Sequence, residues 1–217
     1  MARLSCTESG LTPVEYAKLK RLSTPIKIQD FLDVIPMNWE KDGETHRSPQ
    51  AVLKMKKAHC IEGALLAATA LWIAGEAPMV MDLKVKPGSG DFDHVVALYK
   101  RGDYWGAISK TNHATLRFRD PIYRTARELA LSYFHEWFMN ATGEKTLRSY
   151  SEPFDLRTLG GDWITAKKDL WEIARRLDKL PHTKIIPEGH GRYLRKADHM
   201  ERRAGRLVEW PKSDPRT

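Results

Sequence analysis

A chain of 217 residues, 41% hydrophobic and 29% charged, has the composition of a folded globular domain and not of a disordered segment. Its longest uncharged apolar run, residues 64–74, falls short of the roughly 20 residues that cross a bilayer, and MARLSCTESG contains no apolar signal core, so neither a membrane helix nor a leader is expected. Two cysteines, Cys6 and Cys60, exclude a disulfide scaffold and suit a reducing cytoplasm, and the net charge of +8 is uneven, residues 166–217 carrying 14 Lys+Arg against 8 Asp+Glu.

The first helix signal is Thr12-Pro13 with Glu15 in the first turn, predicting a helix over 13–22. Ser23-Thr24-Pro25 restarts the chain, and Ile28, Phe31, Leu32 and Ile35 recur at helical spacing until Pro36. Residues 38–48 read as a loop with a turn at Asp42-Gly43. Ser48-Pro49 opens a helix over 49–57. The next helix starts near Cys60, is apolar on every side and therefore buried, and stops at Gly75. The period then changes to two. Strands are expected over 79–85, 94–99, 104–108 and 115–119, with turns at Pro87-Gly88-Ser89-Gly90 and Arg101-Gly102-Asp103 and a stop at Asp120-Pro121. A helix over 122–139, a short strand over 146–150, a helix from Asp162 or Thr165 to Leu180 and a further helix over 193–207 complete the series. The order is that of an α+β fold, with a buried Cys-bearing helix packed on an antiparallel meander and flanked by helices at both ends. One domain over 1–181 and a basic extension over 182–217 are expected.

Thiol chemistry needs a thiolate, and a free cysteine titrates at about 8.5. The positive end of a helix dipole and a neighbouring imidazolium both lower that value, and the imidazole also moves protons. Cys60 has the first device if its helix begins there, after Lys56, Lys57 and His59. His94, at the start of a strand behind Asp91-Phe92-Asp93, could supply the second, with a third polar group to orient the ring. In an Ala/Leu helix a cysteine also serves simply as packing. Glu62, in the first turn, suits the dipole and opposes the thiolate slightly.

Lys57-Ala58-His59-Cys60-Ile61-Glu62-Gly63-Ala64, Asp93-His94-Val95-Val96-Ala97-Leu98-Tyr99 and Tyr104-Trp105-Gly106-Ala107-Ile108-Ser109 together resemble the transglutaminase-like core of the papain-type cysteine superfamily. The resemblance covers about 51–112, with the motif-bearing core taken as 51–120. The flanking segments 24–32 and 119–121 look like those of uncharacterised bacterial proteins with this core. It implies a catalytic Cys60 and His94 in that chain order, with a carboxylate or amide third. The family's usual Asp is missing, and its place falls on Ser109, which can accept from the ring but carries no charge. Asn112 is the other candidate. An incomplete triad points instead toward a catalytically silent binding module, since this superfamily also resembles binding modules that have lost catalysis.

The enzyme reading is acyl transfer from a peptide or protein amide through a thioester on Cys60, ending in hydrolysis or cross-linking, with no cofactor and no metal. His59, Cys60 and His94 lack Cys-x-x-Cys or His-x-x-x-His spacing, and tetrahedral zinc would need another ligand. Gly88-Ser89-Gly90 lacks the Lys-Ser/Thr of a phosphate loop, His113 reads as a loop residue and Trp105 as core. The alternative rests on Lys184, Arg192, Arg195, Lys196, Arg202, Arg203 and Arg206, interleaved with Tyr193 and Trp210, which could bind nucleic acid, a protein or another anionic partner or simply form a solvated surface.

Overall fold

Three helices begin with the same local device, a Thr or Ser N-cap followed by Pro at the first helical position. Thr12 caps α2 (Pro13–Arg21), Thr24 caps α3 (Pro25–Val34) and Ser48 caps α4 (Pro49–Met55), after a short α1 (Cys6–Ser9). Each hydroxyl accepts from the backbone N–H three residues on. The computed structural model describes residues 2–41 and 43–209. Asp42 of the expected turn and Trp210 of the basic segment lie outside them.

Helix α5 (Cys60–Ala74) ends at Gly75, whose φ of 98° is a left-handed C-cap. It is buried along almost its whole length between α2, α3 and α4 on one side and the sheet on the other. The sheet is antiparallel throughout: β1 (Met79–Val85), β2 (His94–Arg101), β3 (Tyr104–Ile108), β4 (Arg119–Tyr123), β5 (Leu147–Ser151), β6 (Phe154–Asp155) and β7 (His182–Lys184). Its order is β4-β3-β2-β1-β5-β7, with β6 also on β1. β2 is buried on both faces. Val95, Ala97 and Tyr99 pack toward α5, while Val96 and Leu98 join a second core with Leu129, Ala130 and Tyr133 of α6 (Ala126–Phe134). The fold is the expected α+β arrangement. Among the described residues no helix is long and apolar enough to cross a membrane.

Several boundaries differ from the sequence pattern, each for a local reason. The strand expected over 115–119 is interrupted at Leu116, whose φ is +60°. The strand forms instead over 119–123, across Asp120-Pro121, because β4 is the sheet edge, where a residue without an N–H is tolerated. The helix expected over 122–139 therefore begins later and covers α6 alone. The helix expected from Asp162 or Thr165 to Leu180 is a 3₁₀ turn, Asp162–Ile164, followed by α7 (Trp171–Asp178). The backbone between them is drawn to the 46–48 loop: Ser48 donates to Ala166 O, Leu170 N–H to His46 O and His46 N–H to Asp169. In place of a helix over 193–207 there is a 3₁₀ turn (His190–Tyr193) and a short α8 (His199–Gly205).

Residue 182 is not a structural boundary. β7 pairs with β5, and beyond it Ala197 N–H bonds Gly143 O and Val208 bridges His113. The basic segment, as far as residue 209, belongs to the body of the fold.

Candidate active site

The N-terminus of α5 meets the sheet where β2 begins and antiparallel β3 ends. The register, Ala97 opposite Ile108, makes His94 and Ser109 diagonal neighbours on one face. Cys60 is the first residue of α5 and is half-buried. The loop after α3 sets its entry, since Ala58 N–H bonds Pro36 O and Asn38 N–H bonds Ala58 O. The sequence and its resemblance group Cys60 and His94 with Ser109 or Asn112, and the fold brings Cys60, His94 and Ser109 together.

Hydrogen bonds fix how the His94 ring is used. Its Nε2 lies 2.8 Å from Ser109 Oγ, and Ser109 donates its one proton to Leu116 O at 2.6 Å. The hydroxyl can therefore only accept from His94, so Nε2 carries hydrogen and Nδ1 is left for the Cys60 sulfur. Burial alone would raise the Cys60 thiol. The hydrogen bonds of His59 and His94 and the electrostatic pull of both rings outweigh it and hold the thiol well below its ordinary value.

Ser109 is itself clamped. Gln29 of α3 accepts from its N–H and donates to its carbonyl, both at 2.9 Å. The next residue, Lys110, is buried and caps the end of α3 by donating to Leu32 O at 2.8 Å and Ile35 O at 2.6 Å. Gly63 makes the crossing possible: a Cβ there would stand 2.4 Å from Lys110 Cβ.

His59 is the N-cap of α5. Its Nδ1 is 3.9 Å from Cys60 Sγ, and its Nε2 donates to Thr45 O at 2.6 Å. Glu62 has no exposed surface and accepts from the Asn38 amide, the Thr45 hydroxyl and the N–H groups of Arg47 and His59. Its role exceeds the dipole partner expected from sequence. Burial opposes charging His59, but the bond to Cys60, that sulfur's charge, Glu62 and the Thr45 carbonyl outweigh burial and push its pKa to about 9.

Cys60 stands between two cavities. One, about 420 Å³, is lined by Trp39, His59, His94, Asn112, His113 and Trp137 among others. The second, about 330 Å³, is lined by His46, Asp82, Trp171 and Arg175, and His59, Cys60 and Asp93 border both. Asn112 is on the first cavity's wall, its carbonyl accepting from Glu209 N–H, while the ring bond of His94 goes to Ser109. Trp137, by its sequence spacing a buried core residue, stands edge-on to His94 at 6.0 Å and donates to Asp91. Trp105 packs instead toward the second core, under Lys100. Among the described residues no group of three His, Cys, Asp or Glu is placed to hold a metal.

Several basic C-terminal side chains hold the fold or one another. Arg202 donates to Asn140 O and Ala141 O, Arg195 pairs with Asp198, and Arg192 stacks on Tyr193. No protein-family model matches this chain, and no curated protein matches it.

Proposed function

We propose that this chain is a cysteine acyl-transfer enzyme with transglutaminase-like chemistry, acting on a peptide or protein amide in a reducing, cytoplasmic setting. What carries the reading is Cys60 at the start of α5 beside His94, whose far nitrogen is held by Ser109. His94 Nδ1 takes the thiol proton and the thiolate adds to the carbonyl. The C–N bond breaks as His94 returns that proton to the leaving nitrogen, and a thioester remains. Water or an amine then gives a proton to Nδ1 while attacking the thioester, and the C–S bond breaks to restore the thiolate. The first N–H groups of α5 lack partners within the helix, and that of Cys60 suits an oxyanion. Cavities on both sides of the sulfur leave room for both sides of the scissile bond.

Trapping the acyl-enzyme tests this. The protein is mixed with activated esters and with glutamine-containing peptides, quenched in acid and weighed intact. An adduct on Cys60, absent from Cys60→Ala and slow to form in His94→Ala, is the expected result. No adduct from any acyl donor, with the protein folded, would overturn the reading.

A further inference from the structure

The Cys60 sulfur faces two imidazoles, and they are held differently. Each has its Nε2 hydrogen bonded outward; His59 Nδ1 lies 3.9 Å from the sulfur, and His94 hydrogen-bonds the same sulfur. Behind His94 is a neutral hydroxyl. Behind His59 are two carboxylates, Glu40 and Glu62, each with an oxygen 3.5 Å from Nε2.

The chain has thus set the carboxylate behind the wrong histidine for an ordinary Cys–His–Asp triad, and behind the right one for a fixed charge. Glu62 is fully buried, four groups donate to it, and these are the surroundings of an ionised carboxylate. A buried carboxylate needs a counter-charge. Arg47 stands 4.0 Å away and His59 closer. Histidine is also a poor N-cap, and a cation at a helix N-terminus opposes the dipole. His59 sits there nonetheless, its backbone N–H held by Glu62.

We propose that His59 is a second histidine of the catalytic centre: an imidazolium paired with Glu62 that lies against the Cys60 sulfur and holds its thiolate, leaving His94 to carry the proton. The inference rests on the acyl-transfer reading of the site. His59 keeps its proton throughout. The proton exchanged among thiol, leaving amine and water stays on the His94 side, so each turnover returns both rings to their starting state. The other titratable groups nearby are His46, 5.7 Å from His59 between ring centres, Asp93, which like Cys60 borders both cavities, and Asp91, Lys110 and His113 on the first cavity's wall. The Lys110 ammonium points away, into the α3 carbonyls.

The test is the pH dependence of iodoacetamide alkylation at Cys60, read by mass spectrometry with Cys6 as internal comparison, in wild type, His59→Gln and His94→Ala. In His59→Gln the midpoint should rise, slowing alkylation near pH 6 about tenfold or more, because below the midpoint the thiolate fraction falls about tenfold for every pH unit that the midpoint climbs. In His94→Ala the midpoint should stay below that of Cys6 while acyl transfer is lost. The reverse pattern, His59→Gln unmoved and His94→Ala raised to the Cys6 midpoint, overturns the role of His59 and leaves the acyl-transfer reading standing. A wild-type Cys60 that titrates like Cys6 overturns both. Should His59→Gln fail to fold, ¹⁵N shifts of the imidazoles in the wild type decide instead: His59 protonated on both nitrogens at pH 7.5 supports the proposal, and a neutral ring there overturns it.

Discussion

Ser109 donates its only hydroxyl proton to the carbonyl of Leu116, a residue held at φ +60°, and so presents nothing but lone pairs to His94. A serine does here by hydrogen-bond direction part of what a carboxylate does by charge: it selects the tautomer. It does not stabilise an imidazolium. Ser109→Ala should therefore leave the low-pH limb of Cys60 alkylation in place and slow acyl transfer by about 10²-fold, the lower end of what a well-placed acid–base group contributes. Single-turnover acylation alongside the alkylation profile checks both halves, and an unchanged acylation rate would remove Ser109 from the mechanism.

Gln29 makes two buried hydrogen bonds to the Ser109 backbone across 80 residues of sequence. Gln29→Leu strands a buried N–H and carbonyl and should cost about 1–3 kcal/mol. Urea denaturation measures the stability. Activity at a temperature where the variant is folded should also fall, because Ser109 loses its clamp.

Gly63→Ala places a Cβ 2.4 Å from Lys110 Cβ, with the helix backbone fixed on one side and a buried lysine on the other. Overpacking of this kind costs about 1–3 kcal/mol. A fall in the thermal midpoint is expected. Gly88→Ala, open around its Cβ but at φ +72°, separates steric crowding from backbone strain.

Asp82 lines the second cavity and pairs with His182 at 3.1 Å. Burial, with Asp93 adding to it, pushes its carboxyl up to about 6, against the pull of His182 and Lys84. A carboxyl that holds its proton more firmly folded than unfolded makes the protein less stable as the pH rises from about 4 to 6, and that contribution is spent above 6. The stability of Asp82→Asn relative to wild type should increase across that window and level off above it. Urea midpoints at several pH values test the slope, and a difference independent of pH would refute it.

The buried helix, its start at Cys60, the strand that opens at His94 and the strand that ends just before Ser109 are legible because each is written locally: an apolar run behind a polar start, then alternation. The clamp on Ser109 is not, since Gln29 and Lys110 reach partners 75–80 residues away and look like ordinary surface residues in their own segments. Glu62 looks like a mere dipole partner because its other partners, Asn38, Thr45 and Arg47, lie in a loop without periodicity. Asn112 and Ser109 stand as equals in the sequence. A register of one hairpin and a left-handed Leu116 separate them, and neither leaves a pattern in residue types.

The bridge between His113 and Val208, with Ala114 N–H on Leu207 O and Glu209 N–H on Asn112 O, has a consequence for synthesis. A nascent chain that has emerged as far as residue 109 already contains the thiol and both imidazoles. The cavity wall at Asn112 and His113 is secured only when residues 207–209 arrive, about a hundred codons later. The Cys60 sulfur is thus translated early and its enclosure late, so completion of the cleft is coupled to translation of residues 207–209.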